Sequence, residues 1–316
     1  MNTRIVFLER DSVPVAFRKP AFAHEWVDFG HTHQSRVVER LVGAQIAVIN
    51  KRRIGSAELE ALPGLRMIAL AATGSDNIDL TACATRGVVV SNVRGYALRS
   101  VPEHVMALVL ALSRRLFEYV GDVRAGRWAT APNFCFLDHP ISDLHGKTLV
   151  LVGAGALGEG VARLAQGFGM EVVRAERRGV PSPRPGYRPF DDALALADVV
   201  SVHCPLTTET RGLFDSRSFS LMKPGALFIN TARGGVVDDQ SLVNALKAGT
   251  IAGAAIDVLT TEPPAADHLL LAGDIPNLLI TPHVAWASRE AMENMAGQVI
   301  ENIEAFVGGT PRNRLV

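Results

Sequence analysis

Three ionisable residues late in the chain each stand just after a short apolar run of strand character. They are Arg233 in Asn230-Thr231-Ala232-Arg233-Gly234-Gly235, Glu262 in Glu262-Pro263-Pro264, and His283 in Thr281-Pro282-His283. Open α/β sheets bind ligands at the carboxyl ends of their strands, so this placement gathers the three on one edge. The proline after Glu262 holds its backbone extended and the second proline stiffens the loop, which fixes where the carboxylate points. His283 likewise follows a proline. A histidine with a carboxylate partner is a tunable acid and base, and an arginine is a fork for carboxylate or carbonyl oxygens. Taken singly, His283 reads equally as a satisfied core histidine, Glu262 as a loop carboxylate and Arg233 as a turn clamp. The coincidence of all three after sheet strands favours chemistry.

A second constellation lies earlier. Gly153-Ala154-Gly155-Ala156-Leu157-Gly158 follows the strand-like Leu149-Val150-Leu151-Val152 and precedes a helical pattern of Val161, Leu164, Ala165 and Phe168. Strand before and helix after is the context that makes such glycines informative. The first permits a tight turn, the second lets backbone approach a pyrophosphate, and the third lets the helix pack with its N-terminal amides facing the anion. A glycine turn serving packing alone is the competing reading. Glu176 ends the next strand, where a carboxylate can accept both ribose hydroxyls of an adenosine, which favours NAD. Arg177 and Arg178 directly behind it could grip a 2′-phosphate, so NADP stays open. With a nicotinamide bound, Arg233, Glu262 and His283 would make a 2-hydroxy-acid site.

The elements that must position these residues are a strand–helix alternation. Ile5 to Leu8, Ile46 to Ile49, Met67 to Leu70 and Val88 to Val90 form one series. A stronger series runs through Leu149 to Val152, Val172 to Ala175, Val199 to His203, Ala226 to Ile229, Ile251 to Asp257 and Leu278 to Ile280. Such alternation builds parallel sheets, so the fold class is α/β with two doubly wound parallel-sheet domains. Between the series a helix opens at Ser100-Val101-Pro102-Glu103, where Ser and Glu three apart predict a capping box and Pro sits in the first turn. Its stretch from Val105 to Leu112 is nearly all apolar, which predicts a helix wedged between domains or subunits. The last helical pattern, from Met292 to Phe306, is long enough to return to the first domain. The expected division is 1–99 with 288–316 for substrate and 100–287 for NAD. Pro181-Ser182-Pro183-Arg184-Pro185-Gly186 reads as a turn-rich connection.

Composition closes off other classes. The 316 residues carry 32 Lys plus Arg against 32 Asp plus Glu, a formal charge of zero that excludes a dominant nucleic-acid-binding surface. No apolar run approaches a membrane span or the core of a signal peptide. The cysteines, Cys83, Cys135 and Cys204, are odd in number and wide in spacing, suiting neither a disulfide framework nor a metal site. A cytoplasmic protein with reduced thiols and no metal is expected.

Taken together, Gly153 to Gly158, Asn230 to Gly234, Asp257-Val258 with Glu262-Pro263-Pro264, and Thr281 to Trp286 resemble the signatures of the D-isomer-specific 2-hydroxyacid dehydrogenases, in the right order along nearly the whole chain. Asn50-Lys51, Asp138-His139-Pro140-Ile141 and Ala285-Trp286-Ala287-Ser288 are most similar to the glycerate dehydrogenase, or hydroxypyruvate reductase, branch. The resemblance implies a Rossmann-type cofactor domain inserted into a flavodoxin-like substrate domain, with a cleft between them, and a homodimer built on the cofactor domains through the helix near Ser100. It implies that Arg233, Glu262 and His283 are catalytic. Thr73, Gly153, Gly155, Ala156, Leu157, Gly158, Glu176, Cys204, Thr231 and Asp257 would then line the NAD site. Ala72, Thr73, Gly74, Arg233, His283 and Trp286 would receive the substrate, a small 2-oxo acid or its D-2-hydroxy acid. Trp286 either walls the pocket, favouring hydroxypyruvate and glyoxylate, or fills a domain or subunit contact. Asn77 and Asp79, which belong to the same family loop, read equally as helix-start residues. Two departures stand out: Glu176 where the family has Asp, and Pro102 where it has Ala. Formate dehydrogenase, which pairs its histidine with glutamine, is disfavoured by Glu262, and a nucleotide-sensing regulator on the same fold is the other reading.

Overall fold

The computed structural model describes residues 2–316 and divides into two compact units. The first comprises the residues up to Tyr96 together with Ala287–Val316, and the second is Ala97–Trp286.

In the first unit β1 (Thr3–Phe7), β2 (His24–Asp28), β3 (Ile46–Ile49), β4 (Met67–Leu70) and β5 (Val89–Ser91) form one sheet in the order β2-β1-β3-β4-β5. Every pairing is parallel. The helices are α1 (Val37–Leu41), α2 (Ser56–Ala61) and α3 (Leu80–Thr85). β3 and β4 are buried at every position, as strands covered on both faces must be, and their sequences IAVI and MIAL are accordingly apolar throughout. β2 was not foreseen. It is an edge strand, HEWVD, with exposed or half-buried positions throughout, so its sequence carries no apolar run. Asp79 caps α3 by accepting from the Ala82 amide at 2.8 Å, which settles its role as a helix-start residue.

Where the strand order of this sheet reverses, between β1 and β3, Glu9 is buried. Its Oε2 accepts the consecutive amides of Asn50, Lys51 and Arg52 at 3.0, 2.8 and 2.9 Å, and its Oε1 accepts from Arg52 Nε at 3.1 Å. The crevice that such sheets commonly offer to a ligand is thus occupied by the chain's own carboxylate.

In the second unit the helices are α4 (Ser100–Ser113), α5 (Leu116–Arg124), α6 (Ala156–Gly167), α7 (Phe190–Leu196), α8 (Ser216–Leu221) and α9 (Asp239–Lys247). The strands are β6 (Thr148–Val152), β7 (Glu171–Ala175), β8 (Tyr187–Arg188), β9 (Val199–Val202), β10 (Leu227–Asn230), β11 (Gly253–Ile256) and β12 (Leu278–Ile280). They form one parallel sheet in the order β12-β11-β10-β9-β6-β7-β8. The order reverses between β6 and β9, so the loops after these two strands meet at the ligand-binding edge. A core of Phe190, Phe214, Phe219 and Phe228 with the strand valines fills one face of the sheet. The final helix, α10 (Arg289–Val307), belongs to the first unit, where it packs on β4.

One local expectation is corrected in the second unit. Ser100 does not cap α4. It lies inside the first turn, and its hydroxyl donates to the Ala285 carbonyl at 2.6 Å. The apolar stretch of α4 packs within its own unit, against α6, β10 and β11, and Pro102 fills a hole that exists only because residue 160 is glycine: a Cβ there would lie 2.6 Å from the proline ring. The Pro181–Gly186 connection leads directly into the short strand β8, whose two residues extend the sheet beyond β7.

Candidate active site

The loops after β10, β11 and β12 carry the three residues singled out for chemistry, and buried polar side chains at the strand ends aim two of them, Arg233 and His283. Asn230, fully buried, donates from Nδ2 to the Arg233 carbonyl at 2.9 Å and accepts the Ala232 amide at 3.0 Å. This closes the turn that presents Arg233. Gly234 has to follow, because a Cβ there would lie 2.0 Å from the Leu259 carbonyl carbon. The absent side chain lets the loop after β11, which bears Glu262, lie against the arginine turn.

Asp257 plays the matching part for the histidine. It is 2% exposed, with Oδ1 accepting from the Thr281 hydroxyl at 2.5 Å and the Val284 amide at 2.9 Å, and Oδ2 accepting the Ala285 amide at 2.9 Å. His104 on α4 touches the same cluster, its Nε2 lying 3.2 Å from the Thr281 hydroxyl. His104 was missed in the sequence, where nothing ties a residue of α4 to one 177 positions later. Asp257 thereby pins both sides of His283, whose own amide donates to the Asp257 carbonyl at 2.8 Å. His283 adopts a left-handed backbone, φ 55°.

His283 Nδ1 lies 2.6 Å from Glu262 Oε2, and Glu262 Oε1 accepts the Leu259 amide at 2.9 Å. The carboxylate is therefore held from behind while it engages the imidazole. With Nδ1 committed to Glu262, Nε2 is the nitrogen left to face a substrate. Among the described residues no three His, Cys, Asp or Glu side chains gather as a metal site.

The glycine turn sits at the sheet's reversal point. Gly153 has φ 98°, and a Cβ there would strike the Cys204 amide nitrogen at 2.6 Å, so the loops after β6 and β9 touch only because it is glycine. Gly158 is similarly crowded, 2.4 Å from the Gly153 carbonyl oxygen. His203 supports the turn from beneath. Burial pulls its imidazole down to about 4, so it is neutral, and its Nε2 lies 2.8 Å from Ser201 Oγ. Burial also pushes the Cys204 thiol up to about 11, which makes it a packing group and not a nucleophile.

Three features fit a dinucleotide here. Gly155 is the N-cap of α6, contributes no capping side chain, and a Cβ on it would meet nothing within 4 Å. The amides of Ala156 and Leu157 open that helix, where an anion is favoured. Thr231 Oγ1 is buried with no partner among the described residues.

Glu176 differs from the expectation of a carboxylate free for ribose hydroxyls. Its Oε1 accepts the Arg177 amide and Arg184 Nη2, both at 2.8 Å, while its Oε2 accepts Arg184 Nε at 2.6 Å and the Arg184 amide at 3.1 Å. The Arg184 guanidinium and these two amides hold its carboxyl down at about 2. Arg184 escaped the sequence reading because it sits in a proline-rich connection. Of the arginines that were named, Arg178 is tied to Asp215 at 3.2 Å and to Ser218, whereas Arg177 is exposed.

Ala72, Thr73 and Gly74 belong to the first unit, in the loop after β4. The Thr73 hydroxyl donates to the Val93 carbonyl at 2.8 Å and its carbonyl accepts from Asn92 Nδ2 at 2.7 Å, which fixes the loop backbone. Trp286 is half-buried at the end of the second unit.

Residues 106–285 match the family model described as D-isomer specific 2-hydroxyacid dehydrogenase, NAD binding domain. The chain belongs to the D-isomer-specific 2-hydroxyacid dehydrogenases. Like the other members of this family it is an oxidoreductase of 2-oxo and 2-hydroxy acids with an NAD-binding domain. It is 43% identical to the glycerate dehydrogenase of Methylorubrum extorquens over 99% of both chains. It is 32% identical to the hydroxypyruvate reductase of Blautia hydrogenotrophica, over 89% of this chain and 88% of the relative. Among solved structures, the NADPH-dependent glyoxylate/hydroxypyruvate reductase of Sinorhizobium meliloti in complex with citrate superposes with a TM-score of 0.84 at 28% identity, covering 100% of this chain and 98% of that one.

Proposed function

We propose that this dehydrogenase interconverts a short 2-oxo acid, of the hydroxypyruvate or glyoxylate type, and its D-2-hydroxy acid. The observation that carries the reading is the 2.6 Å pair of His283 and Glu262, held by Asp257 on the same sheet edge as Arg233. A bound nicotinamide dinucleotide supplies or takes up the hydride. In reduction, charge grows on the carbonyl oxygen as its carbon is attacked, and His283 Nε2 passes a proton to that oxygen. Glu262 orients the ring and offsets its positive charge. Arg233 forks onto the substrate carboxylate and carbonyl oxygen. Trp286 limits the size of the group carried on the 2-position.

The dinucleotide is NAD(H), with NADP(H) admitted because Arg177 and Arg184 stand exposed beside Glu176. Gly153, Gly155, Ala156, Leu157 and Gly158 take its pyrophosphate, while Cys204, Thr231 and Asp257 line the rest. The branch assignment is tested with a panel of 2-oxo acids assayed with NADH and NADPH in parallel. Hydroxypyruvate and glyoxylate are expected to give the highest kcat/KM, and activity confined to bulky aromatic or branched oxo acids refutes the small-substrate reading. Steady turnover on any of them argues against a purely sensory role.

We further propose a homodimer through the second unit. The segment after α5 is folded firmly on itself: Trp128 Nε1 donates to the Phe134 carbonyl at 2.8 Å, and His139 Nε2 lies 2.9 Å from Asp122 Oδ2. Yet Phe134 is 89% and Leu137 77% exposed, beside a concavity of about 640 Å³ lined by Arg127 and Thr130–Asp138. An ordered arm with apolar side chains turned outward suits a second copy of the chain. Light scattering should give twice the 33.9 kDa chain mass, and Phe134→Asp with Leu137→Asp should halve it. A wild-type monomer would refute the proposal. Free cysteines at 83, 135 and 204 suit a reducing cytoplasm, and among the described residues no helix is long and apolar enough to cross a membrane.

A further inference from the structure

The end of β7 is where the adenosine ribose of a dinucleotide is read in this fold, and a lone carboxylate there excludes a 2′-phosphate by charge. In this chain the carboxylate is not lone. All four hydrogen bonds that Glu176 accepts come from its own loop, two of them from the fork of Arg184. Glu176 is 2% exposed, whereas the Arg184 side chain is 53% exposed and its guanidinium lies 4.0 Å from the centre of the Tyr187 ring. The acid is thus covered, and the cation that covers it faces outward. Arg177, exposed beside it, adds a second positive charge, while Arg178 is committed to Asp215 and Ser218.

We propose that Arg184 determines cofactor selectivity: by neutralising Glu176 it removes the charge barrier to a 2′-phosphate, so that the chain binds NADPH as well as NADH. This rests on the dinucleotide reading above. A 2′-phosphate is a dianion at neutral pH, and an exposed, planar guanidinium with a neighbouring arginine is the donor set that meets it. A 2′-hydroxyl meets the same cover without penalty, because it carries no charge. One positive side chain therefore converts a site that excludes NADPH into one that admits both dinucleotides.

The test is direct binding, read by quenching of intrinsic tryptophan fluorescence with NADH and NADPH on the full-length protein. For the wild type, Kd for NADPH is expected within about tenfold of that for NADH. Arg184→Ala bares the Glu176 anion, so the NADPH-to-NADH Kd ratio should rise by about 30- to 100-fold, the scale of breaking a hydrogen-bonded charge pair. Glu176→Gln, which keeps the shape and removes the charge, should move the ratio the other way. Arg184→Lys guards against loss of folding, since it keeps the charge without the fork and should give an intermediate ratio. A wild type that disfavours NADPH by more than tenfold, or an Arg184→Ala ratio within threefold of wild type, overturns the proposal. Failure of the wild type to bind either dinucleotide refutes the dehydrogenase reading itself, which is a different result.

Discussion

Replacing His283 by alanine should lower kcat for oxo-acid reduction by about 10²–10⁴-fold, the usual worth of a positioned general acid, while dinucleotide Kd stays close to wild type. The expectation rests on geometry. Glu262 engages Nδ1 at 2.6 Å, and the Asp257 cluster fixes the backbone on either side, so Nε2 has one direction in which to deliver its proton. Glu262→Gln should be milder and different in kind. It leaves a hydrogen-bond partner for the ring but removes the negative charge, so the imidazolium loses support. The loss should appear in kcat, by about tenfold or more, with KM for the oxo acid little changed. Steady-state kinetics of the two variants checks both points. Wild-type turnover in Glu262→Gln or in His283→Ala would sink the assignment.

Arg233→Ala should be the more damaging change in kcat/KM, falling on the order of 10³-fold or more, with KM raised and kcat lowered together. The arginine meets the substrate carboxylate in the ground state and the developing alkoxide in the transition state, so both constants carry its loss. Arg233→Lys keeps the charge but not the fork, and should recover part of KM and little of kcat. Steady-state kinetics on hydroxypyruvate separates the two effects, and a KM unchanged in Arg233→Ala refutes contact with the substrate. The fold itself should tolerate the change, because Asn230 closes the turn through backbone groups alone.

Much of this site is legible in the chain because its residues are local to strand ends. Strand, glycine turn and helix are contiguous from Leu149 to Phe168, and Arg233, Glu262 and His283 each follow an apolar run that is a strand of the sheet or its immediate extension. What escapes the sequence is whatever depends on partners far away or on polar strands. β2 lacks an apolar pattern because it is an edge, and β8 hides in a proline-rich connection. Ser100 and Glu103 have the spacing of a capping box, but the hydroxyl finds a carbonyl 185 positions away. Glu176 shows the limit most clearly: its position was legible, but its partner Arg184 was not, because the fork closes only when the Pro181–Gly186 turn folds back.

The left-handed backbone at His283 has a further consequence, for selection. Glycine adopts φ 55° freely, whereas histidine holds it at a cost of roughly 1 kcal/mol. Heat tolerance and turnover therefore pull in opposite directions at this one position. A library screened for survival at high temperature alone would be expected to sample Gly there and return folded protein that turns over little substrate.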